Sequence, residues 1–255
     1  MKRIVGASIS LLLAASCSSG GDASAPATSS APTTITSSTP SSTPSPTATE
    51  PVCPNPEGGP GNHCLGDLVA GTYTTRQFRP GLRYKVPAGW GNLEDLPGNF
   101  LLLPPGATLE GVNPGTSDFL GVYTSVVAPD LCTGQPSETV HHTFDGLVGW
   151  ITSNPRLKVT NVHDVSVGGL DGVVMDVAMV RTDGCPEGAF ADVLVGSFPS
   201  SLVHSVMKDY PLRIFLLHYR SHTLAIELAD APGGSKYKEW WDAAGPVVDS
   251  FRFTT

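Results

Sequence analysis

Between Ser18 and Val52 the chain carries 10 Ser, 8 Thr and 6 Pro, with Ile35 and Val52 as its only large apolar residues. Such a stretch cannot bury enough apolar surface to offset chain entropy, so it is expected to stay disordered. As a flexible coil it would span a root-mean-square distance of about 30–35 Å, and roughly 110 Å when stretched into a polyproline-type conformation. Anything that folds must therefore follow it. The segment from Cys53 to Thr255 is long enough for one well-buried domain.

What precedes the spacer reads as an export signal. Lys2 and Arg3 lead into the apolar run Ile4 to Ala15, too short for a permanent membrane helix and the right length for a signal-peptide core. The small residues Ala14, Ala15 and Ser16 then lead into Cys17. This resembles a bacterial lipoprotein signal, which implies lipidation of Cys17 and cleavage before it. The same small residues satisfy an ordinary cleavage site, so free secretion is the alternative. The expected organisation is a signal peptide over 1–16, the lipidated cysteine and spacer over 17–52, and a single domain over 53–255. The expected location is the extracytoplasmic face of the cell membrane.

The chain has 5 Cys. Lipidation of Cys17 leaves Cys53, Cys64, Cys132 and Cys185, an even number in an exported chain where disulfides persist. Three connectivities are possible. Cys53–Cys64 and Cys132–Cys185 are favoured, because the first pair brackets a Pro/Gly loop and the second lies in turn-rich segments flanking strands. No C-x-x-C pair suggests zinc.

A net charge of −8 without any cluster of Lys or Arg argues against nucleic-acid binding. There is no G-x-S-x-G elbow, G-x-G-x-x-G turn or Walker loop, and so no sign of a nucleotide cofactor. No metal is expected either.

Strand patterns dominate the domain. They cover Tyr73 to Phe78, Leu82 to Val86, Phe100 to Leu103, Phe119 to Val127, Leu157 to Val167, Leu170 to Val180, Phe190 to Val195, Leu212 to Tyr219 and Thr223 to Ala229. Gly168-Gly169 marks a hairpin. Two segments look helical: Ser137 to Ser153, with Val140, Phe144, Leu147, Val148 and Ile151 on one stripe, and a run from Ser235 through Trp240, Trp241 and Ala244, where Pro246 should kink or restart the helix. The expected fold class is α+β: an antiparallel β-sheet flanked by two amphipathic helices and stapled by disulfides.

The segment Arg83 to Trp90 (Arg-Tyr-Lys-Val-Pro-Ala-Gly-Trp), the Val167-Gly-Gly-Leu170 hairpin and a terminal helix running into Val248 to Phe253 together resemble the PsbP-like fold and related exported lipoprotein domains of Actinobacteria. That resemblance implies a sheet with flanking helices and carries over no catalytic residue.

Candidate site residues are few. His218 and His222 bracket a turn, and the adjacent His141 and His142 would point about 100° apart on a helix, so neither pair suits one metal ion. His204 reads as a strand residue. Asp171, Asp176, Asp183 and Asp192 read as a solvated face. The aromatics Trp90, Trp240 and Trp241 are the better lead, since a cleft they lined could take a small apolar or lipid-like ligand. The expected function is that of a membrane-tethered, non-enzymatic binding or accessory domain. A cell-surface hydrolase with a Ser/His/Asp site assembled in space is the alternative.

Overall fold

The computed structural model describes residues 66–107, 118–130, 133–180, 190–196, 202–231 and 236–254, all within the unit Ala48–Thr255. Its first strands are β1 (Gly66–Asp67), β2 (Gly71–Thr74), β3 (Gly81–Val86), β4 (Gly91–Asp95), β5 (Asn99–Leu103), β6 (Phe119–Tyr123) and β7 (Val126–Val127). Helix α1 (Phe144–Ser153) follows, then β8 (Leu157–Val167), β9 (Leu170–Met179), β10 (Phe190–Gly196) and β11 (Val203–Met207). The chain continues through β12 (Leu212–Tyr219), β13 (His222–Ala229), α2 (Tyr237–Asp249) and β14 (Arg252–Thr254).

Eight strands form one antiparallel sheet in the order β1-β4-β5-β6-β13-β12-β9-β8. Side chains alternate between its faces, and each face has its own core. Phe100, Leu102, Leu120, Val122, Ile226 and Leu228 pack with α2 and with the small sheet β14-β3-β2. Tyr123, Ala225, Ala229, Leu212, Ile214 and Leu216 pack on the opposite side with α1 and with the small sheet β11-β10-β7.

The expected α+β class with one disulfide-stapled sheet is therefore corrected. The described fold is mostly β, with fourteen strands in three antiparallel sheets and two helices of only 10 and 13 residues. No disulfide occurs among the described residues. Cys17, Cys53, Cys64, Cys132 and Cys185, with both expected pairings, lie outside them.

The departure of β7 from the large sheet has a local cause. Phe119 to Val127 reads as one strand, but the backbone breaks at Thr124-Ser125, where Ser125 has φ 56°. The chain leaves the large sheet at Tyr123 and enters a small one at Val126. The Gly168-Gly169 hairpin is as the sequence indicates, with both glycines at positive φ (62° and 90°) as a type I′ turn requires. At the far end of the β12–β13 pair, Arg220 and Ser221 make the tight turn that His218 and His222 flank.

Helix α1 starts later than its hydrophobic stripe, because the Thr143 side chain caps it by accepting the Gly146 N–H at 3.1 Å. Helix α2 continues without a break past Pro246, whose exposed position leaves the freed Asp242 carbonyl on the water-facing side.

Asp95, 1% exposed at the end of β4, organises the turn that follows β2. Its carboxylate accepts the backbone N–H groups of Arg76 (2.7 Å), Gln77 (3.2 Å) and Phe78 (2.8 Å). Bonds to a charged acceptor contribute more than neutral ones, and orphaned buried donors are costly. Asp95→Ala is therefore expected to cost about 3 kcal/mol or more in urea unfolding, and Asp95→Asn, which keeps one acceptor oxygen, about half as much.

Candidate functional site

Across the large sheet, pairing registers place Glu94, Leu101, Gly121, Glu227 and Ile214 in one row, directly opposite one another from strand to strand and hence on one face. Glu227 stands near the middle of this row and is 1% exposed. A carboxylate there is tolerated only with a partner. The partner comes from the facing small sheet, where His204 on β11 brings Nδ1 to 2.6 Å from Glu227 Oε2. The imidazole lies against the Tyr123 ring, with centroids 4.0 Å apart. The Tyr123 hydroxyl occupies the space that a Cβ on Gly121 would fill, so the glycine makes room for the phenol two residues on.

Beside this group the two sheets part around a cavity of about 420 Å³. Its apolar lining includes Leu101, Phe119, Phe190, Leu202 and Leu212. Its polar lining consists mainly of Glu94, Tyr123, His204, Glu227 and Asp230. Tyr123 Oη, His204 Nε2 and Asp230 Oδ1 are buried without a hydrogen-bond partner among the described residues. Unpaired buried polar groups are rare in folded proteins, and three bordering one cavity mark it as a place for a ligand with polar groups of its own.

The electrostatics favour uncharged forms. Burial raises the Glu94 carboxyl above its ordinary range, opposed by the attraction of His204. Burial also pushes the Tyr123 phenol up, reinforced by Glu227 and Glu94. Asp230 is pushed up to about 6, first by burial and then by neighbouring Asp118. Asp118 Oδ1 meanwhile accepts the Ala231 N–H at 3.1 Å.

The aromatics chosen from sequence lie on the other face of the large sheet. Trp90 and Trp240 are buried there with ring centroids 5.6 Å apart, and Trp241 carries the Arg213 guanidinium 4.4 Å above its ring. His218 stacks on Phe144 at 3.7 Å, and His142 Nε2 lies 3.0 Å from the Ser137 carbonyl oxygen. Asp176 is not on a solvated face: it is buried and takes Arg213 Nε at 2.7 Å, Arg213 Nη2 at 3.1 Å and Asn161 Nδ2 at 2.6 Å. Asp192 is likewise buried and accepts the Ser205 hydroxyl at 2.7 Å. Cys17 and Asp183 lie outside the described residues. Glu94, Tyr123, Glu227 and Asp230 escaped the sequence reading. One of them left a signal: Glu227 is the sole ionisable residue in the apolar run Thr223 to Ala229.

The Asp230 shift has a definite sign. Its folded pKa, about 6, lies above the ordinary 3.8, so its stability contribution is fully present below about pH 3.8 and lost as pH rises through about 6. Asp230→Asn removes the charge and keeps the shape. It is expected to stabilise the protein by roughly 1 kcal/mol above about pH 6.5, with the gain vanishing near pH 4, in urea titrations across that range.

No protein-family model matches this sequence, and no curated protein is significantly similar to it. Among solved structures, the chain is similar to a protein from Bacteroides thetaiotaomicron, with 12% identity and a TM-score of 0.33 over 68% of this chain and 45% of that one. This chain thus spans less than half of that protein's length. It is also similar to the solution structure of cyanobacterial PsbP from Synechocystis, with 16% identity and a TM-score of 0.28 over 77% of this chain and all of that one.

Proposed function

We propose that this chain is an extracytoplasmic domain, tethered to the membrane through lipidated Cys17, that binds a small and largely apolar molecule in the cavity between its large sheet and the β11-β10-β7 sheet. The observation that carries the reading is the cavity itself: about 420 Å³, apolar over most of its wall, and bordered by buried polar atoms that the described residues leave unpaired. This volume lies within the range typical of small-molecule sites. The long Ser/Thr/Pro spacer supports the tether, since it would hold a binding domain clear of the bilayer.

The hydrolase alternative asks for a nucleophile beside a base. The His204–Glu227 pair resembles two members of such a set, but the neighbouring Ser205 donates its hydroxyl to Asp192. The described geometry therefore favours binding over acyl transfer.

Leu101 is partly exposed and lines the cavity, so Leu101→Trp should fill it. With purified full-length protein and a neutral solvatochromic dye, this variant is expected to lose at least about tenfold in affinity while melting within a few degrees of wild type. Unchanged dye affinity in a folded Leu101→Trp protein would refute the cavity as the binding site.

The tether is checked separately. Cys17→Ala should move the protein out of the membrane fraction, and equal membrane association of variant and wild type would overturn the anchor.

A further inference from the structure

Resting on the cavity reading above, we infer that the ligand is an organic monocation, an amine with an apolar body, and not an anionic or uncharged lipid. The charge inventory carries the inference. Glu94, Glu227 and Asp230 line the cavity, Asp118 adjoins Asp230, and no Lys or Arg is among the described lining residues. Among the described lining residues the only basic side chain is His204, already placed against Glu227. The buried guanidinium of Arg156 donates to the Phe190 carbonyl at 2.8 Å and is not part of the lining.

Structural duty accounts for Glu227, which holds His204, and for Asp118, but not for all of these acids. Asp118 holds the Ala231 N–H, and Asp230, 8% exposed, is hydrogen-bonded to Asp118 yet leaves Oδ1 without a partner among the described residues. The Glu94 side chain makes no hydrogen bond among the described residues. Like charges crowded into a low-dielectric wall repel one another and suffer from desolvation. A bound ammonium group relieves both costs, and a bound carboxylate or phosphate adds to them. The rings of Phe119, Tyr123, Phe190 and Tyr210 complete a lining that suits an apolar body and can face a cation.

Linkage adds a second signature. A cation favours the ionised acids, so binding releases protons, and affinity should fall as pH drops through the range where Asp230 protonates, near 6. The titratable groups around Asp230 in this response are Asp118, Glu94, Glu227, His204, Tyr123 and Tyr210.

Three probes of matched shape test the inference by calorimetry on the purified full-length protein: phenylpropylamine, phenylpropanol and phenylpropanoate. The amine is expected to bind at least about tenfold more tightly than the alcohol, with the carboxylate weakest. Between about pH 7.5 and about pH 5 the amine should lose roughly tenfold in affinity while the alcohol is unaffected. Glu94→Gln and Asp230→Asn should each weaken the amine by a larger factor than the alcohol. Alcohol or carboxylate binding as tight as the amine would overturn the cation and leave the cavity reading standing. If none of the three binds at millimolar concentration, the inference falls, and dye binding with its response to Leu101→Trp then decides the cavity reading independently.

Discussion

Strand β13 meets water on neither face. Seven of its eight residues are buried, because both faces of the large sheet are covered by other layers. From this two-sided burial the rest of the molecule follows. A central strand covered on both sides supplies core to two layers at once, so its sequence is nearly continuous in apolar residues. It also allows no polar side chain to pass without a partner. Glu227 breaks the apolar run, and the second sheet is placed so that His204 answers it. A charged group that is merely tolerated would be expected at an edge. One in the middle of the sheet, with a histidine supplied from another layer and a glycine spared for the adjoining tyrosine, is part of a built arrangement.

Much of the fold is legible in the chain. The two long hairpins, β8–β9 and β12–β13, announce themselves by their β-branched or apolar runs and by their turns, and both helices by their apolar stripes. These are local signals, each contained within about twenty residues, where side-chain period and turn chemistry decide the outcome. The division of strands among three sheets is not local. The break that sends β7 out of the large sheet turns on a positive φ at Ser125 in the middle of a β-branched run, and a Ser there carries no marker that distinguishes it from an outward-facing strand residue.

The site was legible only in part, for the same reason. His204 and Glu227 are 23 positions apart in the chain and in different sheets, and nothing in either neighbourhood points to the other. Glu227 could have been flagged as a lone acid in an apolar strand, whereas His204, Tyr123 and Asp230 look ordinary where they stand. The tryptophans drew attention because they are large. The structure puts Trp90 and Trp240 to work as packing between the sheet and α2, with Trp241 serving as a platform for Arg213. Trp90 and Trp240 are wholly taken up in that packing, Trp241 borders a cleft of about 460 Å³ beside Asp176 and Arg213, and the cavity with the buried unpaired polar atoms lies on the other side.

The pairing of β6 with β13 has a consequence for how the chain assembles. It joins two meanders, one contributing β4, β5 and β6 and the other β8, β9, β12 and β13, whose paired residues are about a hundred positions apart. Within each group the paired strands are at most about 45 positions apart, whereas the seam between the groups must wait for a longer loop to close. Until it does, two apolar strands present open edges, a state prone to pairing with other chains. The cavity lies across this seam, since Tyr123 belongs to one side and Glu227 to the other. Its polar group is therefore complete only once that seam has closed, and a molecule that binds there would act as a clasp, holding together the two halves of the large sheet.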